Sequence, residues 1–208
     1  MRPGRPREFD TERALDDAMD LFWRKGYRET TTRDLEATLG ITQSSIYQAF
    51  GSKAALADAV LGRYQSLLDR DLLDPLIERE DGLAAIDDFF VTLGEWLTEG
   101  DGRGCLMGRF MGEAPRPDAD VEARLAGYRA RLRVAMSAAL GRAAAAGEIP
   151  ADTVDSRTGV LVGMELGVNL AVLGADEREG QRAMREGQRA MVRGVRAEMA
   201  RWGEAAAA

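Results

Sequence analysis

The segment from Gln43 to Phe50 reads Gln-Ser-Ser-Ile-Tyr-Gln-Ala-Phe, and its residue types could do hydrogen-bond chemistry. At about 100° per residue, Ile46 and Phe50 fall on one side of a helix, and Ser44, Tyr47 and Gln48 on the other. Gln43 and Ser45 lie at the flanks. The outward face is small, polar and uncharged. Gln and Ser side chains can bond base edges in a major groove, and a Tyr hydroxyl can bond a phosphate. Ser52 can then cap a further helix beginning at Lys53, placing a cation and free backbone N–H groups where a phosphate could sit. The plainer alternative is a solvated helix face, since short helix pairs joined by a glycine turn occur in many helical proteins.

Other chemistries lack their residues. The chain has 208 residues and no histidine, which excludes Ser-His-Asp and Cys-His catalysis, His metal ligation and a His-based pH switch. Cys105 is the only cysteine, so neither an internal disulfide framework nor a multi-Cys zinc site is available. A helical bundle of carboxylates could hold a di-metal centre, but the usual Glu-x-x-His motif is missing. No enzyme activity, cofactor or metal is therefore expected. Cys105 has two readings. It follows Gly104 at an expected helix start, with Arg103 and Arg109 nearby, where a thiolate would be stabilised and could sense oxidants or electrophiles. The reading to weigh against it first is a small buried apolar residue.

The elements that must position the segment read as a helix-turn-helix. Asp10 can cap a first helix, with Phe9 outside it as a staple. Leu15, Met19 and Phe22, with Ala18 beside them, give that helix an apolar face, and Gly26 can stop it. Thr31 offers a second cap with Asp34 three residues on, and Leu35 and Leu39 form the buried side of a short second helix. Gly40-Ile41-Thr42 makes the turn, and Thr42 caps the third helix, Gln43 to Ala49.

Charge divides the chain. Residues 1–53 hold as many bases as acids, and the rest carries the whole net charge of −7. Arg2, Arg5 and Arg7 precede any acid. An Arg arm flanked by Gly and Pro is slim enough for a narrow minor groove, and is otherwise a solvated tail.

From Ser52 onward, helices are expected over 52–72, 82–98, 105–113, 118–146, 152–174 and 177–203. Breaks fall at Asp74-Pro75, Gly100-Asp101-Gly102, Pro115-Arg116-Pro117 and Glu148-Ile149-Pro150. The tail Glu204–Ala208 should fray. The longest apolar stretch, Gly159 to Ala175, is interrupted by Glu165 and Asn169 and reads as a buried helix rather than a membrane span. No export signal is apparent, which points to the cytoplasm. Gly159, Gly163 and Gly167 repeat every four residues. Arg178–Met184 repeats unchanged as Arg185–Met191, so Gly180, Gly187 and Gly194 alternate with Ala183, Ala190 and Ala197. Interior glycine costs about 1 kcal/mol against alanine, so such stripes suggest a close helix approach, either between two copies or within one chain. Phe89, Phe90, Trp96, Met107, Phe110, Met111 and Tyr128 could line a ligand pocket or simply form core. Glu165 and Asn169 share one face of an apolar helix. A buried Glu there requires a partner.

Three stretches resemble the DNA-binding domain of TetR-family transcriptional regulators: Gly26-Tyr27-Arg28-Glu29-Thr30-Thr31-Thr32-Arg33-Asp34-Leu35, Leu39-Gly40-Ile41-Thr42-Gln43-Ser44-Ser45-Ile46-Tyr47-Gln48-Ala49-Phe50, and Ser52-Lys53-Ala54-Ala55-Leu56. The resemblance implies an all-α homodimer whose N-terminal helices bind a palindromic operator in double-stranded DNA. Its larger C-terminal domain would bind a small-molecule effector and dimerise. It places Gln43, Ser44 and Ser45 on base- or backbone-contacting positions, Tyr47 and Lys53 on phosphate contacts, and Thr31, Thr32 and Arg33 at the start of the helix over the backbone. Thr42 and Gln48 complete the expected DNA face, with Arg5 and Arg7 from the arm. Gln48 and Ala49 depart from the aromatic or His residues common in the family, and Ala55 replaces a frequent capping Glu. The expected division is a DNA-binding unit over 1–52 and a ligand-binding and dimerising unit over 53–208. The expected effector residues are Phe89, Trp96, Cys105, Met107, Phe110, Tyr128 and Glu165. Gly159, Gly163, Gly167, Gly180, Ala183, Gly187, Ala190 and Gly194 are expected at the dimer interface. A ligand-released repressor is the first expectation. An activator, or a thiol-based sensor, would use the same head.

Overall fold

The computed structural model describes residues 10–98, 104–113, 118–170 and 179–207, and every regular element among them is helical. The expected breaks at 100–102 and 115–117 and the arm residues Arg5 and Arg7 lie outside the described residues.

Three capped helices form the head. Helix α1 (Thr11–Lys25) starts where the Asp10 carboxylate accepts from the Arg13 N–H at 3.1 Å. It ends at Gly26, whose φ of 86° favours glycine. Helix α2 (Thr32–Leu39) opens on a reciprocal capping box between Thr31 and Asp34. Helix α3 (Gln43–Phe50) opens on Thr42 and runs one residue beyond its expected end. Ala18 and Phe22 of α1, Leu35 of α2 and Ile46 of α3 are fully buried and belong to one core with Leu56 and Val60. Leu56 and Val60 belong to α4 (Lys53–Leu68), capped by Ser52.

Helix α4 belongs to both halves. Its first turns close the head. Farther along, it packs on the long α8 (Ala119–Ala145), where Arg124 grips Asp58 through two hydrogen bonds. The expected break at Asp74-Pro75 is not one. The chain continues through a π-helical turn, Asp69–Leu73, directly into α5 (Asp74–Glu78). Pro75 falls in the first turn of the new register, a position that tolerates a proline. Arg131 of α8 holds this turn by bonding Asp69 and Asp74 at 2.8 and 2.6 Å.

Helices α6 (Leu83–Thr98), α7 (Leu106–Met111), α9 (Val154–Leu170) and α10 (Glu179–Ala207) complete the body, and a 3-10 turn, Ala151–Thr153, leads into α9. Helix α9 packs on α8 and α7, and α10 packs on α6, with Arg196 paired to Asp87 at 2.6 Å. The tail expected to fray continues helical to Ala207, as its run of strong helix-forming alanines allows. Among the described residues, no helix is long and apolar enough to cross a membrane.

Candidate nucleic-acid interface

Helix α3 presents the face its sequence promised. Ile46 is wholly buried and Phe50 half-buried, while Gln43, Ser44, Ser45 and Gln48 are exposed. The Thr42 hydroxyl caps the helix and also lies 2.9 Å from the Ser44 hydroxyl and 3.0 Å from that of Ser45. Glu36 of α2 accepts from the Gln43 N–H at 2.6 Å, fixing where α3 begins relative to α2. Sequence reasoning missed Glu36, because its spacing to Gln43 belongs to no helical period.

Tyr47 is half-buried, with its hydroxyl 3.2 Å from that of Thr32, so the two share one position at the junction of α2 and α3. Arg33 is exposed. The Thr31 side chain is committed to its cap. Asp34 receives Lys25 at 2.5 Å, and the hydrogen bonds from Lys25 and Thr31 hold its carboxyl well below the usual range. Lys53 lies 4.6 Å over the Tyr27 ring and donates to the Arg28 carbonyl at 3.5 Å. Burial lowers its pKa against the pull of Glu113 and Asp118.

A brace behind this face gave no sequence signal. Glu113, just past α7, accepts from the Tyr27 N–H at 2.9 Å and the Arg28 N–H at 2.7 Å, while the Tyr27 hydroxyl donates to Asp118. Burial, followed by that bond, raises the Tyr27 pKa. Arg109 donates to the Arg24 carbonyl at 3.3 Å. The Phe110 ring sits 5.9 Å from Phe22 and 5.5 Å from Tyr27. Gly26 is required here on two counts. Its φ is positive, and a Cβ would stand 2.4 Å from the Glu113 carboxylate. Phe110, one of the expected effector residues, packs against the head.

Of the remaining pocket residues, Phe89 stacks edge-on with Phe90 at 5.2 Å, and Trp96 is half-buried, 5.7 Å from Tyr64. Met107, Cys105, Tyr128 and Glu165 are buried. Glu165 has the partners its burial demanded. Its Oε1 accepts from the Tyr128 hydroxyl and from Asn169 Nδ2, both at 2.6 Å. Burial still pushes its carboxyl up to about 7. The thiolate expectation for Cys105 is corrected. The side chain is buried, and desolvation, with Glu165 nearby, pushes the thiol up to about 12. The backbone N–H groups of Met107 and Gly108 pull the other way but are outweighed. An open groove of about 420 Å³ lies elsewhere, between α6 and α10, lined by Leu83, Asp87, Arg196 and Met199 among others.

On the outer side, Gly159 and Gly163 of α9 and Gly187, Ala190 and Gly194 of α10 are exposed, and Gly167 is half-buried. A Cβ on Gly159, Gly163, Gly187 or Gly194 would meet nothing among the described residues within 4 Å, so close packing among them does not explain these four. Val134 and Val160 are exposed on α8 and α9. Gly180 and Ala183 lie in α10, but their surroundings fall outside the described residues.

A polar helix face held out by one buried isoleucine, on a head braced by a helical body, defines a helix-turn-helix protein. Residues 14–60 match the family model for bacterial regulatory proteins of the tetR family. The chain is 35% identical over 106 residues to the HTH-type transcriptional repressor ComR of Escherichia coli (strain K12), a match covering half of each chain. Its alignments thus span about half or less of the curated relatives' lengths. Among solved structures, a cysteine mutant of the TetR family transcriptional regulator CifR, complexed with 26-bp double-strand operator DNA, superposes with a TM-score of 0.77. That match is 26% identical and covers 93% of this chain and 98% of that one. A protein from Rhodococcus sp. RHA1 described as a TetR transcriptional regulator is 30% identical, with a TM-score of 0.50, covering 86% of this chain and 98% of that one. The chain belongs to the TetR family of transcriptional regulators.

Proposed function

We propose that the protein is a transcriptional repressor that binds a palindromic operator as a homodimer and leaves it when a small-molecule effector binds the body. The observation that carries this reading is the exposed, uncharged polar face of α3, standing on the buried Ile46 and flanked by Tyr47 and Lys53. Gln43, Ser44, Ser45 and Gln48 read base edges. Thr32, Arg33, Tyr47 and Lys53 meet phosphates, and Arg5 and Arg7 enter the minor groove. Thr31 and Thr42 contribute through the capped backbone of α2 and α3. The DNA-binding unit is 1–52, and 53–208 senses and dimerises. The open glycine stripes on α9 and α10, including Gly159, Gly163, Gly187 and Gly194, support the dimer, since nothing among the described residues fills them. Two copies of α3 then enter successive major grooves about 34 Å apart. ComR is named a repressor and CifR was solved on operator DNA, and both support the reading for this chain. We assign it no catalytic role and a cytoplasmic location.

The test is selection of genomic DNA fragments by the purified protein at about 0.15 M salt, where non-specific binding is weak. Enrichment of a short inverted repeat is expected. Retention of bulk DNA with no enriched sequence overturns the reading.

A further inference from the structure

We propose that the effector site lies at Glu165 and Asn169 on the inner face of α9, and that its ligand is an organic cation, an amine, amidine or guanidine carrying an apolar body. This rests on the effector-released regulator described above and names the chemistry of its ligand.

Glu165 and Asn169 are 0% and 1% exposed. Glu165 Oε1 accepts from the Tyr128 hydroxyl and from Asn169 Nδ2, and the Tyr64 hydroxyl, whose titration Glu165 influences, is buried without a partner among the described residues. Glu165 Oε2 and Asn169 Oδ1 then have no hydrogen-bond partner among the described residues. Two acceptors left unpaired in a protein interior, one helical turn apart, are costly unless a donor arrives. Asn169 Oδ1 and the ionised Glu165 Oε2 only accept, so the group that pairs them must donate.

The titratable groups around Glu165 are Tyr64 from α4, Cys105 just before α7 and Tyr128 from α8. All are neutral when protonated. The causes that set the Glu165 pKa are burial, Tyr128 and Asn169, with no cation among them. Among the described residues the carboxylate therefore lacks a counter-charge, and a cationic donor would supply charge and hydrogen bond together. The buried faces of α7 and α8, which pack on α9, carry Met107, Leu125 and Leu132 and suit an apolar body.

The same place is joined to the head. A Cβ on Gly108 would stand 2.8 Å from Asn169 Cβ and 2.9 Å from its carbonyl, so α7 lies hard against Asn169. Helix α7 carries Arg109 and Phe110, and Glu113 follows it, onto the turn between α1 and α2. A ligand that shifts Asn169 acts on α7 first.

Cation binding favours the ionised carboxylate, so affinity must rise with pH through about 7, where Glu165 titrates. Between pH 6 and 8 the rise is about tenfold, and it then levels off. A neutral donor would not produce that rise.

The experiment is calorimetric titration of the full-length protein with benzamidine and with C4 to C10 n-alkylammonium ions, against neutral isosteres, benzamide and the matching n-alcohols. The expected result is a cation that binds at least tenfold tighter than its isostere at pH 8. It should lose about tenfold at pH 6 and lose its advantage in Glu165→Gln. It should also release the selected operator fragment. The proposal is overturned if no cation exceeds its isostere, or if the preference is independent of pH. The wild-type pH profile decides the matter even if Glu165→Gln does not fold. Operator retention without ligand, measured on the same preparation, separates the two failures. If DNA is held but cations show no preference, only the site fails; if DNA is not held, the regulator reading fails.

Discussion

Replacing Glu113 by alanine removes a carboxylate that receives two backbone N–H groups from the turn between α1 and α2. A hydrogen bond to a charged acceptor contributes about 1.5–3 kcal/mol when shielded and less when exposed. The bond to the half-buried Tyr27 amide therefore counts for about 1.5 kcal/mol. The bond to the exposed Arg28 amide counts for about 0.5 kcal/mol. Together the brace holds this turn by about 2 kcal/mol, a factor of about 30 in its opening equilibrium. Amide exchange followed by NMR reads this directly. In Glu113→Ala, the Tyr27 and Arg28 amides should exchange about 30-fold faster, while that of Leu35, inside α2, keeps its rate. Glu113→Gln keeps one carbonyl acceptor but loses the charge and should fall between the two. Unchanged rates at Tyr27 and Arg28 in the alanine variant would refute the brace. Equal acceleration at Leu35 would show that the substitution destabilised the whole head.

Gln43→Ala should cost about 1–3 kcal/mol per half-site on the selected operator and nothing on a scrambled duplex, measured by fluorescence anisotropy. Lys53→Ala should weaken binding to both duplexes alike and reduce the slope of log K against log salt by about 2 for a dimer, one for each head. Native Cys105 should resist a disulfide exchange reagent at pH 8 and react at once in denaturant, because burial pushes its thiol up to about 12. Rapid reaction in the native protein would restore the sensor reading. Gly163→Glu places a charge at an open position where a Cβ meets nothing among the described residues. It should leave the helical circular dichroism of the protomer intact and convert the dimer to monomers in sedimentation velocity.

The head was legible in the sequence because each of its boundaries is a local device. Asp10, Thr31, Thr42 and Ser52 each accept from the N–H three residues on, and Gly26 and Gly40 supply the positive φ at the ends of α1 and α2. The period that buries Ile46 also exposes Gln48. Pro75 misled for the opposite reason: the π-helical turn that absorbs it is held by Arg131, more than fifty residues away. Cys105 left two readings because its helix-start position is visible in sequence and its burial is not, and the structure decides for the buried one. Two local N–H groups favour the thiolate, but removal from water outweighs them. Glu113 left no trace, because its partners are backbone amides of another element and no side-chain pattern records them.

The placement of charge follows from the same division. A chain with a net charge of −7 gains little from long-range attraction to DNA, so its contacts must act at short range. Much of the arginine is already engaged within the fold: Arg63 on Asp16, Arg124 on Asp58, Arg131 on Asp69, Arg196 on Asp87. The reading face itself carries no charge. Such a face gains little from an arbitrary phosphate backbone, and its hydrogen bonds form only where base edges match. Non-specific affinity then stays low, and the ratio of specific to non-specific binding, which governs occupancy of one site among many, rests on geometry. The brace at Glu113 matters for that reason. With few long-range charges to hold the protein on DNA, fixing the angle between head and body preserves the fit, and any shift of α7 that loosens Glu113 would reduce it.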